Sequence, residues 1–162
     1  MNNVSSTHGT YYLTPEGLKK IRQEFERLSE FKKTKTSGEV PSTWESEEVN
    51  PEYLAFQEDI SILEARLAEY EIILKNVEII APPVGEKRFE VHLGARITVE
   101  VDNGEVDEFE IVGTLEANPS LGRISNESPV GAALMNSKIG DEVAVSSPKQ
   151  TIYKIKKIAY AV

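Results

Sequence analysis

The chain of 162 residues has no cysteine. That absence removes disulfides, thiolate nucleophiles and cysteine-ligated zinc together. Histidine is almost missing as well: only His8 and His92 are present, far apart in sequence. A histidine-rich metal site is therefore excluded, and a Ser-His-Asp triad would have to be built on one of those two. With no catalytic partner in view, His92 reads as a structural or surface residue. No run of about 18 apolar residues occurs, so no membrane-spanning helix is expected. The opening Met1-Asn2-Asn3-Val4-Ser5-Ser6 lacks the apolar stretch of a secretory leader, and the chain reads as cytoplasmic. Bases are scarce: 18 against 27 acids, a formal charge of −9. Such a balance argues against nonspecific attraction to nucleic acid, and no independent sequence-specific DNA binding is expected. What remains, 40% hydrophobic and 28% charged residues, is the composition of a folded protein of one ordinary domain or two small ones.

The acids are unevenly placed. Met1 to Lys35 holds seven Lys/Arg and four acids, whereas Thr36 to Ala65 holds eight acids and no Lys or Arg. Taken alone, this window reads as a solvated acidic loop. Flanked by helices, it reads as an acidic tip on a longer element.

Helix signals do flank it. Leu13-Thr14-Pro15-Glu16 opens a helix: Thr14 can cap free amides, Pro15 suits the first helical position, and Glu16 complements the positive end of the dipole. Leu18, Ile21, Phe25 and Leu28 then follow at 3-4-3 spacing along one face, and the helix should end between Lys33 and Thr36. Ser37-Gly38 and Val40-Pro41-Ser42 break it. Asn50-Pro51-Glu52 starts a second helix in which Phe56, Ile60, Leu63, Leu67, Tyr70, Leu74 and Val77 keep 4-3-4-3-4-3 spacing. Three uninterrupted heptads favour a coiled-coil seam, although ordinary core packing would leave the same stripe. Extra apolar residues at Ile62, Ile72 and Ile73 widen the stripe. At about 1.5 Å per residue, Pro51 to Asn76 spans about 40 Å. The pair makes an antiparallel helical hairpin over residues 1–80, with its tip at about 37–50.

Ala81-Pro82-Pro83-Val84-Gly85 cannot continue a helix, and 81–88 reads as a linker. Beyond it the apolar period changes to two. Arg96–Val101 alternates, Asp102-Asn103-Gly104 turns, and Asp107–Gly113 returns. Glu142–Val145 and Thr151–Ile158 read as two more strands. Ser128-Pro129 starts a short helix through Met135. Residues 89–162 thus form a small antiparallel sheet with one short helix, and the whole chain is α+β. Nothing in this half gathers a base, a nucleophile and an oxyanion donor, so the chain is not expected to be an enzyme itself.

This order of parts resembles the bacterial Gre transcript-cleavage factors from Leu13 to about Ile158. The likeness rests on Leu13-Thr14-Pro15-Glu16-Gly17-Leu18-Lys19-Lys20-Ile21 and on Leu74-Lys75-Asn76-Val77-Glu78-Ile79-Ile80. It is firmest in Leu93-Gly94-Ala95, Phe109-Glu110-Ile111-Val112-Gly113, Ile124-Ser125-Asn126-Glu127-Ser128-Pro129-Val130-Gly131-Ala132-Ala133-Leu134 and Ile139-Gly140-Asp141-Glu142-Val143. Asn136 stands where the family usually has glycine, and asparagine tolerates the left-handed conformation expected there. The resemblance implies an FKBP-like C-terminal domain docked at the rim of the RNA polymerase secondary channel, with Glu127, Ser128 and Pro129 as polymerase contacts. It implies a coiled coil that carries acidic side chains to the polymerase active site and the RNA 3′ end. There they would share an Mg²⁺ with the polymerase, none being bound by the factor alone, and the polymerase would cleave its backtracked transcript.

The tip departs from the family pattern. In Glu45-Ser46-Glu47-Glu48-Val49-Asn50-Pro51-Glu52-Tyr53, the last residues set the register, which puts Ser46 and Val49 where the family carries its two functional acids. Glu45, Glu47 and Glu48 lie one residue away and become the candidate catalytic acids, with Glu47 and Glu48 as candidate Mg²⁺ ligands. The segment from Ser37 through Trp44 cannot continue a long helix, so the tip is expected to be a loop. Trp44 either folds back on Tyr53 or Phe56 or contacts the polymerase. Two other readings stand beside transcript cleavage. One is a paralogue that occupies the channel and modulates or inhibits polymerase without cleavage. The other is a prolyl isomerase or chaperone, which the few aromatics of the C-terminal half (Phe89, Phe109, Tyr153, Tyr160) argue against.

Overall fold

The computed structural model describes residues 9–45, 48–146 and 149–161. They divide into two compact units, one comprising Leu18–Asn76 and the other Thr10–Gly17 with Val77–Val162. Among the described residues no helix is long and apolar enough to cross a membrane.

In the first unit, α1 (Pro15–Ser37, whose first three residues belong to the second unit) and α2 (Pro51–Lys75) flank two minimal strands, β2 (Trp44–Glu45) and β3 (Glu48–Val49). The heptad residues of α2 are the sheltered ones. Leu63 is buried, and Phe56, Ile60, Leu67, Tyr70 and Leu74 are half-buried, while most positions between them are exposed; Ile73, beside the seam, is also buried. On α1 the sheltered line runs Leu18, Ile21, Phe25, Leu28 and then continues through Lys32 and Lys35. Lys32 pairs with Glu64 at 3.1 Å and Lys35 with Asp59 at 2.7 Å. As the number rises on one helix it falls on the other, which is the antiparallel sense of the hairpin.

In the second unit, β5 (Ala95–Val101), β6 (Val106–Val112), β7 (Arg123–Ser125), β8 (Glu142–Val145) and β9 (Thr151–Tyr160) form one sheet in the order β7-β6-β5-β9-β8. The sheet is mixed, which corrects the expectation of a wholly antiparallel one: β7 pairs parallel to β6 through Glu110↔Arg123, Ile111↔Ile124 and Val112↔Ser125. At three residues β7 is too short to show alternation. Its direction is set by the connection through Thr114–Glu116 and Pro119–Leu121, two single 3₁₀ turns. The three-residue strands β1 (Tyr11–Leu13) and β4 (Val77–Ile79) also pair in parallel, across a sequence separation no local pattern reveals.

The core is the inner face of this sheet. Val91, Ala95, Ile97, Val99, Ile111, Leu134 and Ile155 are fully buried together, with Leu134 contributed by the short helix α3 (Pro129–Leu134). Each buried aliphatic side chain contributes about 1.5–3 kcal/mol of transfer free energy. After α3, Asn136 adopts φ of 65°, and its N–H donates to the Val91 carbonyl at 2.8 Å. The left-handed turn expected at this asparagine is present.

Candidate functional site

The acidic tip is built from its anchor outward. Asn50 is buried and serves three bonds at once. Its Oδ1 accepts from the Glu52 N–H at 3.0 Å and caps α2, its Nδ2 donates to the Ser42 carbonyl at 2.9 Å, and its own N–H donates to the Thr43 carbonyl at 3.1 Å. One asparagine therefore starts the second helix and fixes the chain that approaches it.

Beyond that anchor, the segment expected as a loop contains a two-stranded antiparallel ribbon. Its register is Trp44↔Val49 and Glu45↔Glu48. Side chains alternate faces along a strand, and directly paired positions share a face. On a helix the one-residue offset from the family's acidic positions would turn a side chain by about 100°. In a ribbon it reverses the face, so Val49, at a family acidic position, stands opposite in sense to its neighbour Glu48. Glu48 is exposed. Ser46 and Glu47, and the side chains of Trp44 and Glu45, lie outside the described residues, and with them the packing of Trp44 on Tyr53 or Phe56. Among the described residues no group of three or more His, Asp or Glu side chains is arranged to hold a metal ion.

The second candidate region is the turn before α3. Ser128 caps that helix: its Oγ accepts from the Gly131 N–H at 3.1 Å and donates to the Ser125 carbonyl at 2.7 Å. A Cβ at Gly131 would collide with that carbonyl, so the glycine is required by the close approach. Glu127 is held in turn. Its N–H donates to Ser125 Oγ at 3.0 Å and its carboxylate accepts from Thr114 Oγ1 at 2.9 Å. Glu127 and Pro129 are exposed, while Ser128 is half-buried with its hydroxyl committed internally. Of the three residues singled out here, two are presented outward and the third does the presenting. The Thr114–Ser125–Glu127 network is not readable from sequence, because Thr114 lies eleven residues from Ser125 and carries no local motif.

His92 has a structural setting. Its Nε2 lies 3.2 Å from the Glu90 carboxylate, and its N–H donates to Tyr160 Oη at 2.9 Å. Tyr160 Oη donates in turn to the Glu90 carbonyl. Burial holds the Tyr160 phenol above its ordinary pKa, against the opposing effect of the His92 bond.

The chain thus comprises a helical hairpin with an acidic connecting tip and a mixed-sheet domain whose short helix presents an ordered turn. Residues 11–79 match the profile described as "Transcription elongation factor, N-terminal", and residues 86–160 that described as "Transcription elongation factor, GreA/GreB, C-term". The chain is 39% identical over 142 residues to transcription elongation factor GreA of Thermomicrobium roseum, covering 86% of this chain and 90% of that one. It is 34% identical over 146 residues to GreA of Bacillus anthracis, covering 88% and 92%. Among solved structures, it is similar to GreA/GreB from Nitrosomonas europaea at 19% identity and a TM-score of 0.42, covering 93% of this chain and all of that one. It is likewise similar to GreA factor homolog 1 of Thermus thermophilus at 24% identity and a TM-score of 0.40, covering 93% and 99%. The chain belongs to the GreA/GreB family of transcription elongation factors.

Proposed function

We propose that this elongation factor binds RNA polymerase in its secondary channel and stimulates cleavage of the backtracked transcript, acting as an accessory to the polymerase's own nuclease. The observation that carries the reading is the Asn50 anchor, which caps α2 and fixes the approach to a tip whose sequence holds Glu45, Glu47 and Glu48. Like charges crowded into four residues of sequence repel in isolation, and a nearby cation removes that cost. Carboxylate oxygens are the donors that Mg²⁺ prefers, and Glu45, Glu47 and Glu48 supply them; a full octahedral set needs further oxygens from the partner. When bound, Mg²⁺ supplies charge neutralisation and an activated water. The chain's own part is to bring the carboxylates in and hold them through the Asn50 anchor. Glu127 and Pro129, and Trp44 at the tip, are the proposed polymerase contacts, with Ser128 shaping the first of these surfaces.

One observation favours a second reading. Val49 stands at a family acidic position, and its strand neighbour Glu48 takes the opposite face of the ribbon. A factor with that tip would occupy the channel and modulate polymerase without cleavage.

The deciding measurement is RNA cleavage by a stalled, backtracked elongation complex with Mg²⁺, with and without saturating protein. Acceleration supports the first reading. Binding to polymerase without acceleration supports the second.

A further inference from the structure

We propose that Glu116 is a positioning residue that completes the N-terminal cap of α1 from 102 residues away and holds the first turn of that helix within the C-terminal unit. In a capping box the N-cap Ser or Thr accepts from the amide three residues on, and a Glu or Gln at that third position accepts from the N-cap amide. Here the first half is local: Thr14 Oγ1 accepts from the Gly17 N–H at 3.0 Å. The second half cannot be local, because the third position is a glycine. Glu116 takes that role. Its Oε2 accepts from the Thr14 N–H at 2.7 Å, and its Oε1 accepts from Thr14 Oγ1 at 2.6 Å.

The two residues explain each other. A Cβ at Gly17 would collide with the Glu116 carboxylate, so the glycine at the third position is the space through which the distant glutamate arrives. Glu116 is built in rather than draped over the surface. Its side chain is only 11% exposed, Arg123 Nη2 stands 3.4 Å behind it, and its own N–H donates to the Gly113 carbonyl at 3.1 Å. A carboxylate at this place also complements the positive end of the helix dipole. The adjoining backbone is pinned on the same unit, since the Ile80 N–H donates to the Leu13 carbonyl at 2.8 Å. A helix cap made within α1 would give the same start to the helix without any tie to residues 77–162. The consequence for transcript cleavage rests on the function proposed above; the tie itself does not.

The test uses the full chain with Glu116→Ala, Glu116→Gln, and Glu116→Ala combined with Gly17→Glu, which rebuilds the box locally. Amide hydrogen exchange is the first readout. Removing the carboxylate should speed exchange at Thr14, Gly17 and Ile80 by about tenfold or more, the loss expected for a charged acceptor, while amides of β5 and β9 keep their protection. The double variant should restore protection at 14 and 17 but not at Ile80. Restoration at all three would reduce Glu116 to an ordinary cap and overturn the proposal, as would unchanged exchange in the alanine variant. If that variant does not fold, Glu116→Gln, which keeps one acceptor oxygen, carries the same comparison. The second readout is cleavage by a backtracked complex. Glu116→Ala should lower the maximal rate while the half-saturating concentration stays within about twofold, and the local rebuild should not rescue the rate. A wild-type chain without cleavage activity would remove the proposed function and leave the exchange result standing.

Discussion

Lys35 donates to the Asp59 carboxylate at 2.7 Å across the two helices, and it does so from a position on the seam. The 3-4 spacing of Leu18, Ile21, Phe25 and Leu28 continues to Lys32 and Lys35, and both remain partly sheltered while their partners Glu64 and Asp59 are more than half exposed. The hairpin is therefore held by apolar contact near its base and by ion pairs toward its tip. Pairs this open contribute at most about 1 kcal/mol each and weaken with salt.

Replacing Lys32 and Lys35 with leucine should extend the apolar seam and raise the thermal midpoint by a few degrees, each half-buried leucine contributing about 1 kcal/mol. The variant should also lose the salt sensitivity of amide exchange in the distal turns. A lowered midpoint would show that the ion pairs outweigh the packing.

Asn50→Ala removes a helix cap and one further bond, to the Ser42 carbonyl of the approaching chain. It should destabilise the hairpin unit by about 1–2 kcal/mol, read by denaturant unfolding followed through helical ellipticity. Asn50→Asp keeps the capping oxygen and loses the donor to Ser42, and should fall between the two.

At the tip, Glu48→Gln removes an exposed charge and leaves stability within about 0.5 kcal/mol. Combined with Glu45→Gln and Glu47→Gln it should lower stimulated transcript cleavage by at least about tenfold, the scale of one lost charge contact in a transition state. Undiminished cleavage by the triple variant would remove these acids from the mechanism.

Gly131→Ala forces a methyl group against the Ser125 carbonyl. The start of α3 must shift, at a cost of about 1–3 kcal/mol. Affinity for polymerase should fall along with stability, because the same turn presents Glu127 and Pro129. A Glu127→Ala/Pro129→Ala variant should lower affinity with a smaller loss of stability, that of the single Thr114 bond and the N-terminal proline.

Tyr160 sets an alkaline limit. Burial raises its pKa in the folded chain, so the folded state holds the phenolic proton more tightly than the unfolded one. That stability is fully present below the ordinary phenol pKa near 10 and is lost as pH rises through the folded value. Tyr160→Phe should flatten this alkaline decline. It should also be less stable at neutral pH by about 1–3 kcal/mol, having lost its bonds to Glu90 and His92.

By itself the sequence determined the periodic parts of this protein. Two helices, four longer strands and the caps at Thr14, Asn50 and Ser128 follow from spacing and local chemistry, because a period or a cap is written within a few residues, and the left-handed Asn136 followed from the family resemblance. The acidic composition of the tip was equally legible. Only the tertiary structure decided the rest: the parallel pairings of β7 and β1, the register of the tip ribbon, and the glutamate that caps α1 at Thr14. Each depends on a partner distant in sequence or on a strand register, and a register one residue away would have turned Glu48 to the opposite face.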